Sequence, residues 1–119
     1  MAIGKWLDNE GSPTEAALEK IRKWPYLDAD GCLDFVASIW HIPSFGLSYE
    51  LRPAEREVCH AEDGDSFVRF ATGGWSGNEE LIGALNDNQM VTTLTWQISS
   101  RGGLHIYKRH AKPARAQGG

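Results

Sequence analysis

Apolar residues recur every three or four positions at the start of the chain and every two positions from its middle onward. Ala17, Leu18, Ile21 and Trp24 share one helical face, with Lys20, Arg22 and Lys23 on the wet side. In Ser12-Pro13-Thr14-Glu15, Ser12 suits a cap, Pro13 the first helical position and Glu15 the third residue after the cap. The pattern predicts a helix from there to about Trp24, stopped by Pro25. Leu33, Val36, Ile39 and Trp40, with Phe35 beside them, predict a second helix from about Asp30 to near His41, closed by Pro43.

From Gly46 the period changes to two. Leu47, Tyr49 and Leu51 alternate with polar residues and predict a strand ended by Pro53. Residues 55–65, EREVCHAEDGD, read as an acidic strand-like segment with a hairpin turn at Asp63-Gly64, leading into a strand over Ser66–Phe70. A glycine-rich stretch, ATGGWSGNEE, then opens a helix from Glu79 to about Asn88, with Leu81, Ile82 and Leu85 on its inner side. Alternation over Met90–Ser99 predicts another strand, Arg101-Gly102-Gly103 a turn, and Leu104–Lys108 the closing strand. Helices and hairpins without regular βαβ alternation predict an α+β fold: an antiparallel sheet of about four to five strands, with two N-terminal helices and one further helix packed on it.

The length of 119 residues suits one domain, expected over residues 1–109, with a flexible basic tail over 110–119. With 41% hydrophobic and 24% charged residues and no apolar run of about 20, the composition is that of a soluble globule rather than a membrane-spanning chain. MAIGKWLDNE meets two acids before any apolar run, so no secretion signal is expected and residence is expected to be cytoplasmic. Of the net charge of −4, Lys108, Arg109, Lys112 and Arg115 supply +4 without an acid in residues 108–119, which leaves −8 for residues 1–107. An acidic body repels phosphates, so nucleic acid is not expected to bind it, and only weak contact through the tail is anticipated.

The candidate chemistry is sparse. Asp28-x-Asp30-Gly31-x-x-Asp34 lacks the EF-hand spacing, and Cys59-His60 and the remaining histidines show no familiar zinc spacing, so no metal and no cofactor are expected. Cys32 and Cys59 form no CxxC pair and read as reduced thiols. Gly74-Trp75-Ser76-Gly77 is not a nucleophile elbow, because its second glycine falls one position early, and no catalytic residue is assigned.

Three readings of the glycine-rich stretch stay open. Ser76 and Glu79 match a capping box, with the glycines supplying unusual backbone angles. Trp75 either plugs the core or shows a flat face to a partner. Gly73, Gly74 and Ser76, with Arg101 from the later turn, could hold a small anion, although Glu79 and Glu80 would set negative charge beside it. Arg101 is also placed to reach Glu79 or Glu80 if the helix packs beside its hairpin. The segment Glu50–Asp65 carries six acids against two arginines, and Glu62, Asp63 and Asp65 offer an acidic contact for a basic partner or simply a wet edge.

FATGGWSGNEELIGAL, a tryptophan-bearing segment and SSRGGLHIYK, preceded by LDFVASIW, resemble a family of small uncharacterised proteins encoded by bacteriophages and prophages. The likeness spans roughly residues 30–108, and TGGWSGNE and SxRGG carry most of it. It implies a bacterial host cell and an accessory protein that acts by binding a host or defence-system protein, CRISPR machinery included. On that basis the chain is expected to be a non-enzymatic protein-binding module, an inhibitor of host or anti-phage defence machinery, contacting its partner through Trp75, Arg101, Glu62, Asp63 and Asp65. A small-ligand or nucleotide binder, or a minor enzyme, built on the glycine loop and Arg101 is the alternative.

Overall fold

A computed structural model describes residues 5–110. Its architecture is α+β: four antiparallel strands in the order β1-β2-β4-β3, accompanied by six helices. The strands are β1 (Leu47–Ser48), β2 (Ser66–Ala71), β3 (Trp96–Ser100) and β4 (Leu104–Arg109). The helices are α1 (Glu15–Arg22), α2 (Ala29–Ser38), α3 (Pro43–Gly46), α4 (Pro53–Val58), α5 (Ser76–Asp87) and α6 (Gln89–Thr95).

The pairing register sorts side chains to the two faces of the sheet. Val68 of β2 lies opposite Tyr107 of β4, and these two with Phe70 enter the main core, together with Ile21, Leu33, Val36, Leu81, Leu85 and Val91 from the helices. Burial raises the Tyr107 hydroxyl above the usual phenol range, and that hydroxyl donates to Asn86 Oδ1 at 2.8 Å. Arg69 and Ile106, paired across the strands, fall on the opposite face with Phe67. There Arg69 meets Glu55 of α4 at 3.0 Å with both side chains largely shielded, an ion pair that ties α4 to the second face.

Several elements depart from the pattern in the sequence. Thr14, not Ser12, caps α1: its Oγ1 accepts from Ala17 N–H at 3.2 Å, while the backbone N–H of Ser12 is bound by Asp8 Oδ1 in the preceding turn. The second helix stops at Ser38, and Pro43 begins α3 instead of closing α2, since proline's fixed φ suits a first helical turn. The strand expected over 47–51 keeps only Leu47–Ser48, because the Ser48 hydroxyl folds the chain back on Glu50. Residues 53–58 are helical rather than strand-like, with Pro53 in the first turn and Arg52 N–H donating to Glu55 Oε1 at 2.9 Å. The turn at Asp63-Gly64 is present, Gly64 having φ +90°, but it links that helix to β2 and makes no hairpin.

The largest difference lies at residues 89–95, where strand-like alternation gives way to α6. Asn88 decides it. Its Oδ1 accepts from Val91 N–H at 3.2 Å to start the helix, and its Nδ2 donates to the Ile21 and Trp24 carbonyls at 2.9 and 3.0 Å. Val91 and Thr95, one helical turn apart, are then both buried while Thr93 between them is exposed, a pattern that strand alternation would not give. The predicted basic tail, residues 110–119, lies outside the described residues apart from His110. No helix among the described residues is long and apolar enough to cross a membrane.

Asn88→Ala should cost about 2 kcal/mol, because it removes the donor to the part-buried Trp24 carbonyl, takes one of the partners of the Ile21 carbonyl and uncaps α6. Urea denaturation followed by tryptophan fluorescence measures this; a loss below 1 kcal/mol would show that α6 stands without the amide.

Candidate functional site

The glycine-rich stretch forms one wall of a cleft of about 200 Å³ at the end of the sheet where β2 terminates. The other wall is the link between α2 and β1, contributing His41, Ile42, Phe45 and Gly46. Asn78 holds the walls together. Its amide is almost wholly buried, with Oδ1 accepting from His41 N–H at 3.0 Å and Nδ2 facing the carbonyls of His41 and Thr72 at 3.3 and 3.5 Å.

Trp75 is half-buried: it neither enters the main core nor stands free. Its indole stacks on the His41 imidazole at 3.8 Å between centroids and 16° between planes, and its six-membered ring fills the space a side chain at position 77 would need. Gly77 is therefore required by packing. The expected capping box is not formed. The helix starts at Ser76, making Trp75 the cap residue with no side-chain bond, and the third helical position falls on Asn78 instead of Glu79. Asn78 is already committed across the cleft, and Ser76, Glu79 and Glu80 face solvent.

The two glycine pairs lie side by side. Thr72 N–H donates to the Gly103 carbonyl at 3.0 Å, and Gly103 presses on the Thr72 hydroxyl so closely that a side chain there would collide. Gly73, Gly74, Gly102 and Gly103 have φ of +65°, +77°, +88° and +85°, backbone states that side chains resist. Arg101 leads into this second pair and is exposed, and no ion pair among the described residues joins it to Glu79 or Glu80.

Glu62, Asp63 and Asp65 belong elsewhere. They form the turn before β2, at the opposite end of that strand from Ala71 and so about 17 Å from the glycine loop. Asp65 accepts from Glu62 N–H at 2.8 Å and lies 3.7 Å from Lys108 Nζ, which commits it locally. The structure thus joins Trp75, Gly73, Gly74, Ser76 and Arg101 at one end and leaves the acidic trio at the other.

Two residues of the cleft escape a reading of the sequence. Ile42 adopts φ +52°, ψ +64°, a left-handed state costly for a β-branched residue, yet its side chain remains 55% exposed. Phe45 is 80% exposed, its ring edge resting near Gly73. Ile-Pro and an isolated Phe in HIPSFG were the available signals, but nothing in their spacing separates a displayed side chain from a buried one.

The titratable groups suggest no nucleophile. Burial pushes the Cys32 thiol up to about 12 and also raises Cys59, so neither favours thiolate. No group of three or more His, Cys, Asp or Glu among the described residues is disposed to hold a metal ion. His105, on β4, is half-buried and 2.8 Å from Ser99 Oγ through Nδ1; burial lowers its pKa, opposed by the charge of Glu79. Comparison with known protein families, curated proteins and solved structures finds no match.

Because His105 is held below its unfolded value, the stability it confers is complete above about pH 6.5 and is lost as pH falls through the folded value. Melting temperature should therefore fall more steeply between pH 7 and 5 for the native protein than for His105→Gln; parallel slopes would exclude His105 as the cause. Thiol titration gives a separate check on burial: in native protein Ellman's reagent should modify Cys59 well before Cys32, and in guanidinium both at one rate.

Proposed function

We propose that this chain is a non-enzymatic protein-binding module whose contact surface is the apolar rim formed by Ile42, Phe45 and Trp75. The observation that carries the reading is Ile42. A β-branched side chain kept in a left-handed backbone state is strained by about 1–3 kcal/mol, and such strain clusters at ligand clamps and contact sites. Here it sets an apolar side chain out in water beside an exposed phenylalanine, which solvent alone does not reward. The Trp75–His41 stack and the Asn78 bridge give that rim a rigid base, so little side-chain freedom is lost on contact.

The resemblance of the TGGWSGNE and SxRGG segments to phage and prophage proteins supports a host or defence-system protein as the partner, with inhibition as the outcome and the bacterial cytoplasm as the setting. The acidic body, −8 over residues 1–107, favours a basic partner face. Glu62, Asp63 and Asp65 then act as a remote acidic contact, reached only by a partner that spans the length of β2. A second reading draws on four left-handed glycines beside the start of α5, with exposed Arg101 preceding one pair in sequence, so a small anion or nucleotide is the alternative ligand.

An exposed aromatic anchor of this kind contributes about 2 kcal/mol, so Phe45→Ala should weaken partner binding about 30-fold and Phe45→Glu should abolish it. Affinity capture from a bacterial lysate, run in parallel with the native protein and the two variants, measures this. Retention unaffected by Phe45→Glu would remove the rim from consideration, and a thermal shift with phosphate or nucleotides, lost in Arg101→Ala, would favour the anion reading.

A further inference from the structure

We infer that β3 and the apolar strip beside it form the self-pairing surface of a homodimer. In the order β1-β2-β4-β3, β3 is the five-residue outer strand, and its sequence, Trp96-Gln97-Ile98-Ser99-Ser100, contains no charge and no proline. Outer strands usually carry lysine, proline or a cover to block pairing with another chain, and this one has neither charge nor covering helix among the described residues. The other margin, β1, has only two residues and offers little to pair with.

The register places the strip on the same side as that margin. Trp96 lies opposite Tyr107 and so faces the helix-covered side, with its Nε1 donating to Ser99 Oγ at 2.8 Å. Immediately before it, α6 turns Val91 and Thr95 inward and leaves Met90 and Leu94, one turn apart, facing outward. Leu94 shares an open cleft of about 530 Å³ with Tyr26 and Leu27, the latter 88% exposed, and Asp28, Asp30 and His110 line its polar side. Tyr26, Leu27, Met90, Leu94 and Trp96 therefore make one apolar band along the β3 side of the molecule.

Such a band exposes on the order of 500 Å² per protomer, the size of the largest apolar patch on a typical monomer, which is often functional, and more than half of the roughly 800 Å² per partner that a standard interface buries. Main chain from the strand margin adds to it. A bulge between Trp96 and Ile98 limits the regular ladder to Ile98–Ser100, so the band supplies most of the area and the strand supplies direction.

A second copy is the partner that fits. Antiparallel pairing about a two-fold axis through β3 sets the strand against itself, satisfies its outward N–H and C=O groups reciprocally, and opposes no charged side chains within residues 96–100. Two four-stranded sheets would join into one of eight strands. The Ile42–Phe45–Trp75 rim, beside β1 and the end of β2, remains free, so self-association and the proposed partner contact are independent.

Sedimentation velocity across about 1–200 µM tests the inference. The expected result is a species of twice the 13.2-kDa chain mass that dissociates on dilution. Leu94→Glu combined with Met90→Glu, both at exposed helix positions, should shift the protein to monomer with an unchanged far-ultraviolet spectrum, whereas Phe45→Glu should leave the dimer in place. Amides 98–100 should exchange more slowly at high protein concentration. A native protein monomeric at 200 µM, or a dimer that persists in the double variant, overturns the assignment.

Discussion

Helix α5 is fixed at both ends by buried asparagine amides, and the other elements take their places from it. At its C-terminal end, Asn88 binds the carbonyls that terminate α1 and caps α6. At its N-terminal end, Asn78 binds the backbone of His41 and Thr72. The two lie ten residues apart, about 15 Å along a helix, so one rigid rod sets the spacing between the helix layer and the cleft. Buried amides of this kind are costly unless satisfied, and here each makes three contacts, which penalises alternative packings of the same core.

Around this rod the aromatic residues divide between core and surface. Trp40 packs on Phe70 at 4.6 Å between centroids, and Phe70 meets Tyr107 edge-on at 5.9 Å, linking the helix layer to the central strands. Trp6 and Trp24 pack against Phe35 at the outer side of α2, with the Lys20 ammonium 4.8 Å over Trp24. Trp75 and Trp96 belong to neither group. One stacks on a histidine at the cleft beside exposed Ile42 and Phe45, and the other lies on the outer strand near exposed Leu94.

Those two places lie apart on the sheet. A rim raised on strained backbone sits at one corner of the sheet, and an uncharged strand with its apolar band runs along the far margin. Among the described residues neither place holds a metal-ligand cluster, and on the strand side Ser99 bonds His105, whose pKa burial lowers. Exposed apolar area is what both present, from Ile42 and Phe45 at one and from Leu94 and Trp96 at the other.

How much of this was legible depended on what local spacing encodes. The α+β class, β2, β4, the α1 face and the α5 face follow from periodicity, because a buried stripe must repeat at the period of its element. The glycines at 73 and 74 were legible as backbone requirements, since left-handed φ is a local property, whereas Gly77, read the same way, is helical and is demanded instead by the Trp75 ring. Residues 89–95 were not legible: Thr92, Leu94 and their neighbours alternate like a strand, and only the distant carbonyls of Ile21 and Trp24 draw Asn88 into a cap. Residues 53–58 turned helical for a similar reason, with Glu55 anchored by Arg69 across 14 positions of sequence. Ser76 and Glu79 matched a capping box in spacing alone, and Asn78 overrode it by binding His41, 37 residues away. The sequence by itself determined which faces are apolar and where the chain can bend. Tertiary structure alone decided which polar side chains leave their own helix to satisfy another's backbone, because that choice depends on partners far along the chain, brought close only by folding.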